Sequence, residues 1–206
     1  VSDPGLLKKG VAEYVAVIDE GLLGKLYHAR STGFRRRGRP YVDGYGTAQF
    51  VQRDHASGGA LYDMGVYHIS VMLHLLGNPQ PLRISGQIYQ ETDMDAERRA
   101  LSGYDVEELG LGLVRLEHGI TLDIIEAWAI HLDGFSSPYV VGSKGGIRLP
   151  PFGFGADEDL GLYYSMGDMD VDSTVNLAAF DRRVHDLREN AEAYDSYAHH
   201  WIAALQ

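Results

Sequence analysis

The chain has 206 residues, 45% of them hydrophobic and 23% charged, which is enough for one full-sized core and short for two. A formal net charge of −11 argues against a nucleic-acid or anionic-membrane surface, and the absence of cysteine removes disulfides, a thiol nucleophile and Cys-based zinc sites. With no uncharged apolar run of about 18 residues and no basic apolar leader, the expectation is a cytoplasmic protein that neither spans a membrane nor binds nucleic acid.

Ser2-Asp3-Pro4 predicts a helix start, continued by Leu6, Leu7, Val11, Tyr14, Val15 and Ile18 at helical spacing and ended by Gly21 and Gly24. Residues 25–31 alternate as a strand does. Residues 34–56 then read as a long irregular stretch carrying Arg35-Arg36-Arg37 and Arg39-Pro40, and loops of that length are often functional. The arginine cluster has two readings. It is a solvated loop, or one guanidinium, with Arg37 the candidate, reaches a ligand carboxylate or phosphate.

Residues 60–77 predict a helix of mostly apolar and small residues, closed by Gly77-Asn78-Pro79. At ~100° per residue, Asp63, Tyr67, Ser70 and His74 project within a wedge of roughly 40–60°, with His68 off it. Such a stripe is either the solvated face of an amphipathic helix or a site. It contains no Lys, Glu or Arg, and it combines a carboxylate, a phenol and an imidazole, groups that accept, donate and move protons. Gly58-Gly59 would let another backbone or a ligand approach the helix start, and Ser57 is the candidate cap.

Strands follow at 82–90, 106–117 and 120–131, the last two a hairpin about His118-Gly119, with a short polar helical connection at 93–99. Residues 139–141 and 146–149 pair across Gly142-Ser143-Lys144-Gly145, and 160–166 and 169–174 are two more strands. A final helix is predicted over 191–206, with His199-His200 in it. Strands joined by short turns, with helices to either side, define an α+β fold: a large, mostly antiparallel open sheet with helices packed on one face. A partner subunit is one way to cover the other face.

No metal is expected. Asp168-Met169-Asp170-Val171-Asp172 imitates a calcium loop but has Ser173 and Ala179 where glycine and glutamate belong. Asp63 and His68 lack an evident third ligand.

Four stretches together resemble the C-terminal domain of the Gfo/Idh/MocA family of oxidoreductases. They are Gly58-Gly59-Ala60-Leu61-Tyr62-Asp63-Met64-Gly65-Val66-Tyr67 running on to Leu75-Leu76-Gly77; Ile18-Asp19-Glu20-Gly21 with Leu23-Gly24-Lys25; Arg36-Arg37-Gly38-Arg39-Pro40; and Gly142-Ser143-Lys144-Gly145-Gly146. The resemblance implies a fold like the C-terminal domain of glyceraldehyde-3-phosphate dehydrogenase, with residues 1–206 forming one substrate-binding and oligomerisation domain. It implies an N-terminal Rossmann domain, missing from this chain, that holds NAD or NADP and supplies a Glu-Lys-Pro lysine. The substrate would be a sugar, polyol or related hydroxy or carbonyl compound, and the assembly a homodimer or homotetramer through the sheet face. The domain alone would not turn over.

Asp63 and Tyr67 resemble the Asp-x-x-x-Tyr branch, which includes glucose-fructose oxidoreductase and dihydrodiol dehydrogenase, rather than the Asp-x-x-x-His branch. Tyr67 and Asp63 are therefore the implied catalytic pair, with His68, His74 and Arg37 as candidate substrate contacts; cofactor contacts within this chain stay unassigned. A phenol is a weak base at neutral pH unless a cation sits beside it, and the lysine of the missing domain is the implied partner. The alternative from another class is a non-catalytic ligand sensor with the same fold.

Overall fold

The computed structural model describes residues 11–151 and 160–175. In chain order these form α1 (Val11–Asp19), β1 (Leu26–Phe34), a 3-10 turn (Ala48–Val51), α2 (Arg53–Ala56), a π turn (Leu61–Gly65), α3 (Val66–Leu75) and β2 (Pro81–Tyr89). There follow α4 (Ala96–Ser102), β3 (Leu109–Leu116), β4 (Thr121–Ala127), β5 (Tyr139–Gly142), β6 (Gly145–Arg148), β7 (Leu160–Met166) and β8 (Met169–Val175). The start of the predicted first helix, the predicted helix at 191–206 and His199-His200 lie outside the described residues.

All eight strands join one open sheet in the order β2-β3-β4-β1-β5-β6-β7-β8. Six of the seven neighbouring pairs are antiparallel, and short turns between successive strands make three of them, β3-β4, β5-β6 and β7-β8. The exception is β1 with β4, which run parallel, His28 opposite Thr121 through to Phe34 opposite Ala127. The sequence reading places strands here but not this pairing. It arises because the β2-β3-β4 meander returns to the free side of β1 after the chain has crossed the sheet as α3.

Side chains alternate between the two faces. Ala29, Ser31 and Gly33 of β1 share a face with Leu122, Ile124 and Glu126 of β4, and α1 and α3 cover that face. Val71, Met72 and Leu75 of α3 pack there with Val11 and Tyr14 of α1 against Val114, Leu122, Val140 and Ile147, all buried. The opposite face carries half-buried His28, Arg30, Asp123, Ile125 and Tyr139, with exposed Leu111 and Leu113 beside them, and no described helix covers it. This is the open, mostly antiparallel sheet with helices on one face that the strand pattern predicts.

A second core cluster sits beyond the strand ends, where Val42, Val51, Ala60, Met64, Tyr104, Val106 and Trp128 pack together. It ties residues 38–56 to the rest. Arg39 does the same through polar contacts: only 1% exposed, it donates to both oxygens of Asp43, to Glu108 Oε2 and to the carbonyls of Thr92 and Asp93. Glu108 in turn accepts from the amides of Glu91 and Thr92. Residues 34–56 are thus not the irregular loop the sequence suggests. They hold two short helical turns, and a buried ion-pair cluster fixes them.

Candidate functional site

The central helix departs from the regular period within its first turns. Leu61–Gly65 forms a π turn, with Tyr62 and Asp63 both bonded back to the Gly59 carbonyl, before α3 begins at Val66. Its start is shaped from a distance. Glu107, just before β3, accepts from the amides of Gly59 and Leu61 through its two carboxylate oxygens at 2.8 and 3.1 Å. Ser57 does not cap this end; it closes α2 in a left-handed conformation, φ 67°. The close approach that Gly58-Gly59 predicts is that of the Glu107 backbone, whose carbonyl oxygen a Cβ on Gly59 would meet at 1.8 Å.

The π turn changes which residues share a line. In a regular helix, residues five apart diverge by about 140°. Here Asp63 and His68 both reach the sheet, Asp63 to Trp128 and His68 to Glu126. Glu126 and Trp128 alternate along one strand direction and so lie on one face, roughly 6.6 Å apart. The wider π turn brings the five-residue separation into step with that spacing.

His68 and Glu126 form the deeper layer. The His68 Nδ1 lies 2.9 and 3.0 Å from the two Glu126 oxygens, and both side chains are buried. Burial pushes the Glu126 carboxyl up, and the His68 contact offsets this only in part. Gly33 makes the room, since a Cβ there would stand 2.3 Å from Glu126 Oε2 and 2.4 Å from the His68 ring.

Asp63 forms the upper layer, at the C-terminal ends of the parallel pair. The chain leaving β4 brings Trp128, whose Nε1 donates to Asp63 Oδ2 at 2.9 Å. The chain leaving β1 brings Arg35, whose Nη1 lies 3.5 Å from the same oxygen. Arg35 also donates to the Tyr45 hydroxyl, which donates to the Gly38 carbonyl. Partial burial pushes the Tyr45 phenol up; Arg35 opposes this and the Asp63 charge adds to it. Asp63 Oδ1 takes no hydrogen bond among the described residues, and the side chain is 30% exposed.

Tyr67 follows Asp63 by one turn and is 39% exposed. His74, eleven residues beyond Asp63, is roughly 16 Å further along the helix axis. Arg37 is 79% exposed and 3.8 Å from Asp43. The structure therefore gathers Asp63 with Arg35, Tyr45 and Trp128, sends His68 inward to Glu126, and leaves His74 and Arg37 outside this group. Trp128, Tyr45 and Glu126 are absent from the sequence reading; Glu126 and Trp128 are signalled only by their place within the predicted strand at 120–131, and Tyr45, inside residues 34–56, by nothing local.

Among the described residues, no group of three or more His, Cys, Asp or Glu side chains could hold a metal ion. Nor is any described helix long and apolar enough to cross a membrane. A dinucleotide does not fit the helix start at Gly58-Gly59 either: the Glu107 carboxylate already occupies the Gly59 and Leu61 amides that would face a phosphate.

An open sheet, antiparallel but for one strand pair among the described residues, with a carboxylate at the end of that pair, defines an α+β domain. Residues 11–148 match the GFO/IDH/MocA C-terminal domain, and the chain belongs to that family. It is 29% identical over 147 residues to a protein of Amycolatopsis mediterranei (strain S699) named as the oxidoreductase subunit of a UDP-kanosamine synthase, covering 66% of this chain and 40% of the relative. Among solved structures, a levoglucosan dehydrogenase in complex with NADH has a TM-score of 0.64 at 17% identity, over 82% of this chain and 44% of that one. The aldose-aldose oxidoreductase of Caulobacter crescentus, complexed with glycerol, has a TM-score of 0.59 at 18% identity, over 82% of this chain and 45% of that one. The chain spans less than half the length of these relatives.

Proposed function

We propose that this chain is the substrate-binding and oligomerisation domain of an NAD(P)-dependent oxidoreductase acting on a sugar, polyol or related hydroxy or carbonyl compound. The observation that carries this reading is the Asp63 carboxylate, held through Oδ2 at the head of the parallel strand pair with Oδ1 unpartnered among the described residues, one turn ahead of the half-exposed Tyr67. Family membership supports it, as do a fold shared with a levoglucosan dehydrogenase bound to NADH and an aldose-aldose oxidoreductase. Asp63 Oδ1 accepts from a second substrate hydroxyl and so orients the substrate, while Tyr67, as phenolate, takes the proton of the reacting hydroxyl in oxidation and, as phenol, returns it in reduction. The nicotinamide, which supplies the hydride chemistry, belongs to a nucleotide-binding domain outside this chain.

The sheet face that no described helix covers supports association between copies. Exposed Leu111 and Leu113 lie beside a polar inlay, in which Arg30 pairs with Asp123 and His28 contacts Thr121 and Tyr139. A homodimer or homotetramer through this face buries the leucines and keeps the polar pairs satisfied.

The test is turnover by the full-length protein on a panel of aldoses and polyols with NAD and NADP. The Tyr67→Phe variant is expected to lose about 10²–10⁴-fold in kcat. Unchanged turnover by that variant removes Tyr67 from the chemistry. Residues 1–206 alone are expected to reduce none of the panel.

A further inference from the structure

We infer that Trp128 and Arg35 are positioning residues for the Asp63 carboxylate, which they hold by Oδ2 so that Oδ1 is turned to the ligand. The inference rests on the proposed function only in taking that ligand to be a hydroxyl compound.

Three observations carry it. First, both groups converge on one oxygen: Trp128 Nε1 donates to Oδ2 at 2.9 Å and Arg35 Nη1 lies 3.5 Å from it, whereas Oδ1 has no partner among the described residues. A carboxylate gripped at one oxygen by an indole N–H and a guanidinium has a fixed plane, and its other oxygen has a fixed direction.

Second, neither donor is free to wander. Trp128 is fully buried and its backbone is bonded on both sides, its amide to the Glu108 carbonyl at 2.7 Å and its carbonyl to the Gly38 amide at 2.8 Å. Its N–H needs an acceptor inside the protein, and Asp63 is that acceptor. The Arg35 amide is bonded to the Ala127 carbonyl at 2.7 Å, and its guanidinium is bracketed by the Tyr45 hydroxyl and the Gly38 carbonyl.

Third, the two donors come from the ends of the two parallel strands, while Asp63 comes from the π turn crossing above them. Three segments distant in sequence have to be in register for the oxygen to be gripped. That is the kind of support a ligand-orienting group needs, since a misplacement of about 1 Å can cost about 10²-fold in rate.

Full-length protein labelled with ¹⁵N-tryptophan gives the test, with Trp128→Phe identifying the Trp128 indole cross-peak. That cross-peak is expected to move in Asp63→Asn and in Arg35→Met, and to stay near its parent position in Arg35→Lys. A cross-peak indifferent to Asp63→Asn overturns the inference. On whichever panel substrate the enzyme turns over, Trp128→Phe keeps an aromatic ring without the indole N–H and is expected to lower kcat/KM about ten- to a hundred-fold. The loss should fall in kcat, with no further loss when the substitution is added to Asp63→Asn. A fall confined to KM, or one that adds in full to Asp63→Asn, overturns positioning. The two readings fail separately. A protein that turns over nothing on the panel while the cross-peak still follows Asp63 loses the oxidoreductase reading and keeps the positioning. Turnover with an unresponsive cross-peak does the reverse.

Discussion

The Gly59 amide donates to Glu107 Oε2 at 2.8 Å while the carbonyl oxygen of the same Glu107 fills the space where a side chain on Gly59 would project. The acid thus caps the helix start with its carboxylate and blocks it with its backbone. Gly59→Ala drives a Cβ to 1.8 Å from an oxygen that the sheet cannot yield, so it is expected to abolish soluble, cooperatively folding protein. Gly112→Ala is the control: its nearest neighbour would be the Ser85 carbonyl oxygen at 3.4 Å, an ordinary contact, and it is expected to fold as the parent does. Soluble yield and urea melts distinguish the two.

Arg39 is expected to be the costliest single truncation in residues 34–56. Arg39→Met leaves Asp43 and Glu108 buried without their common cation. Breaking one partner out of a buried ion pair costs about 3–5 kcal/mol. The loss should show as a lowered urea midpoint, together with protease sensitivity confined to residues 34–56.

Tyr104 predicts the opposite sign. Its hydroxyl is buried with no hydrogen-bond partner among the described residues, and burial pushes its phenol well above the usual range. Removing an unsatisfied buried hydroxyl removes a desolvation cost of about 1–3 kcal/mol, offset by whatever void remains. Tyr104→Phe is therefore expected to be neutral or stabilising in the same melts.

Two buried carboxyls should leave opposite marks on stability against pH. Burial alone would raise Asp43, but the hydrogen bonds and charge of Arg39 outweigh it and hold the carboxyl below its ordinary 3.8. A depressed acid contributes stability above its unfolded pKa, which is lost as pH falls through the folded value. Glu126 is raised above its ordinary 4.5 by burial. Its contribution is greatest below 4.5 and is lost as pH rises from there through the folded value. Urea midpoints taken over about pH 3 to 7 should lose the acid-side fall in Asp43→Asn and the rise-side fall in Glu126→Gln.

Much of the fold was legible because strands and turns announce themselves locally. Val114 alternates with exposed neighbours and Leu122 with half-buried ones, and Gly119, at φ 74°, supplies the turn between their strands. The Gly58-Gly59 pair correctly signalled a close approach. Its partner, Glu107, lies 48 residues away and could not be named from spacing. The parallel pairing of β1 with β4 depends on where the meander returns, which no local pattern encodes. A polar stripe at a uniform ~100° per residue does not reveal the π turn at Leu61–Gly65. That is why His68 falls off the line; Trp128 lies on the chain leaving β4, outside any helical stripe.

That turn has a further consequence, for the arithmetic of the gene. Removing one codon between Leu61 and Gly65 would leave every apolar residue after it intact and would let the backbone resume ordinary pitch. Yet it would swing the imidazole of His68 away from the acid waiting for it, or else drag Asp63 off the indole. In this segment the number of residues is constrained as firmly as their identity, and natural insertions and deletions should be excluded from it while they accumulate in the loops on either side.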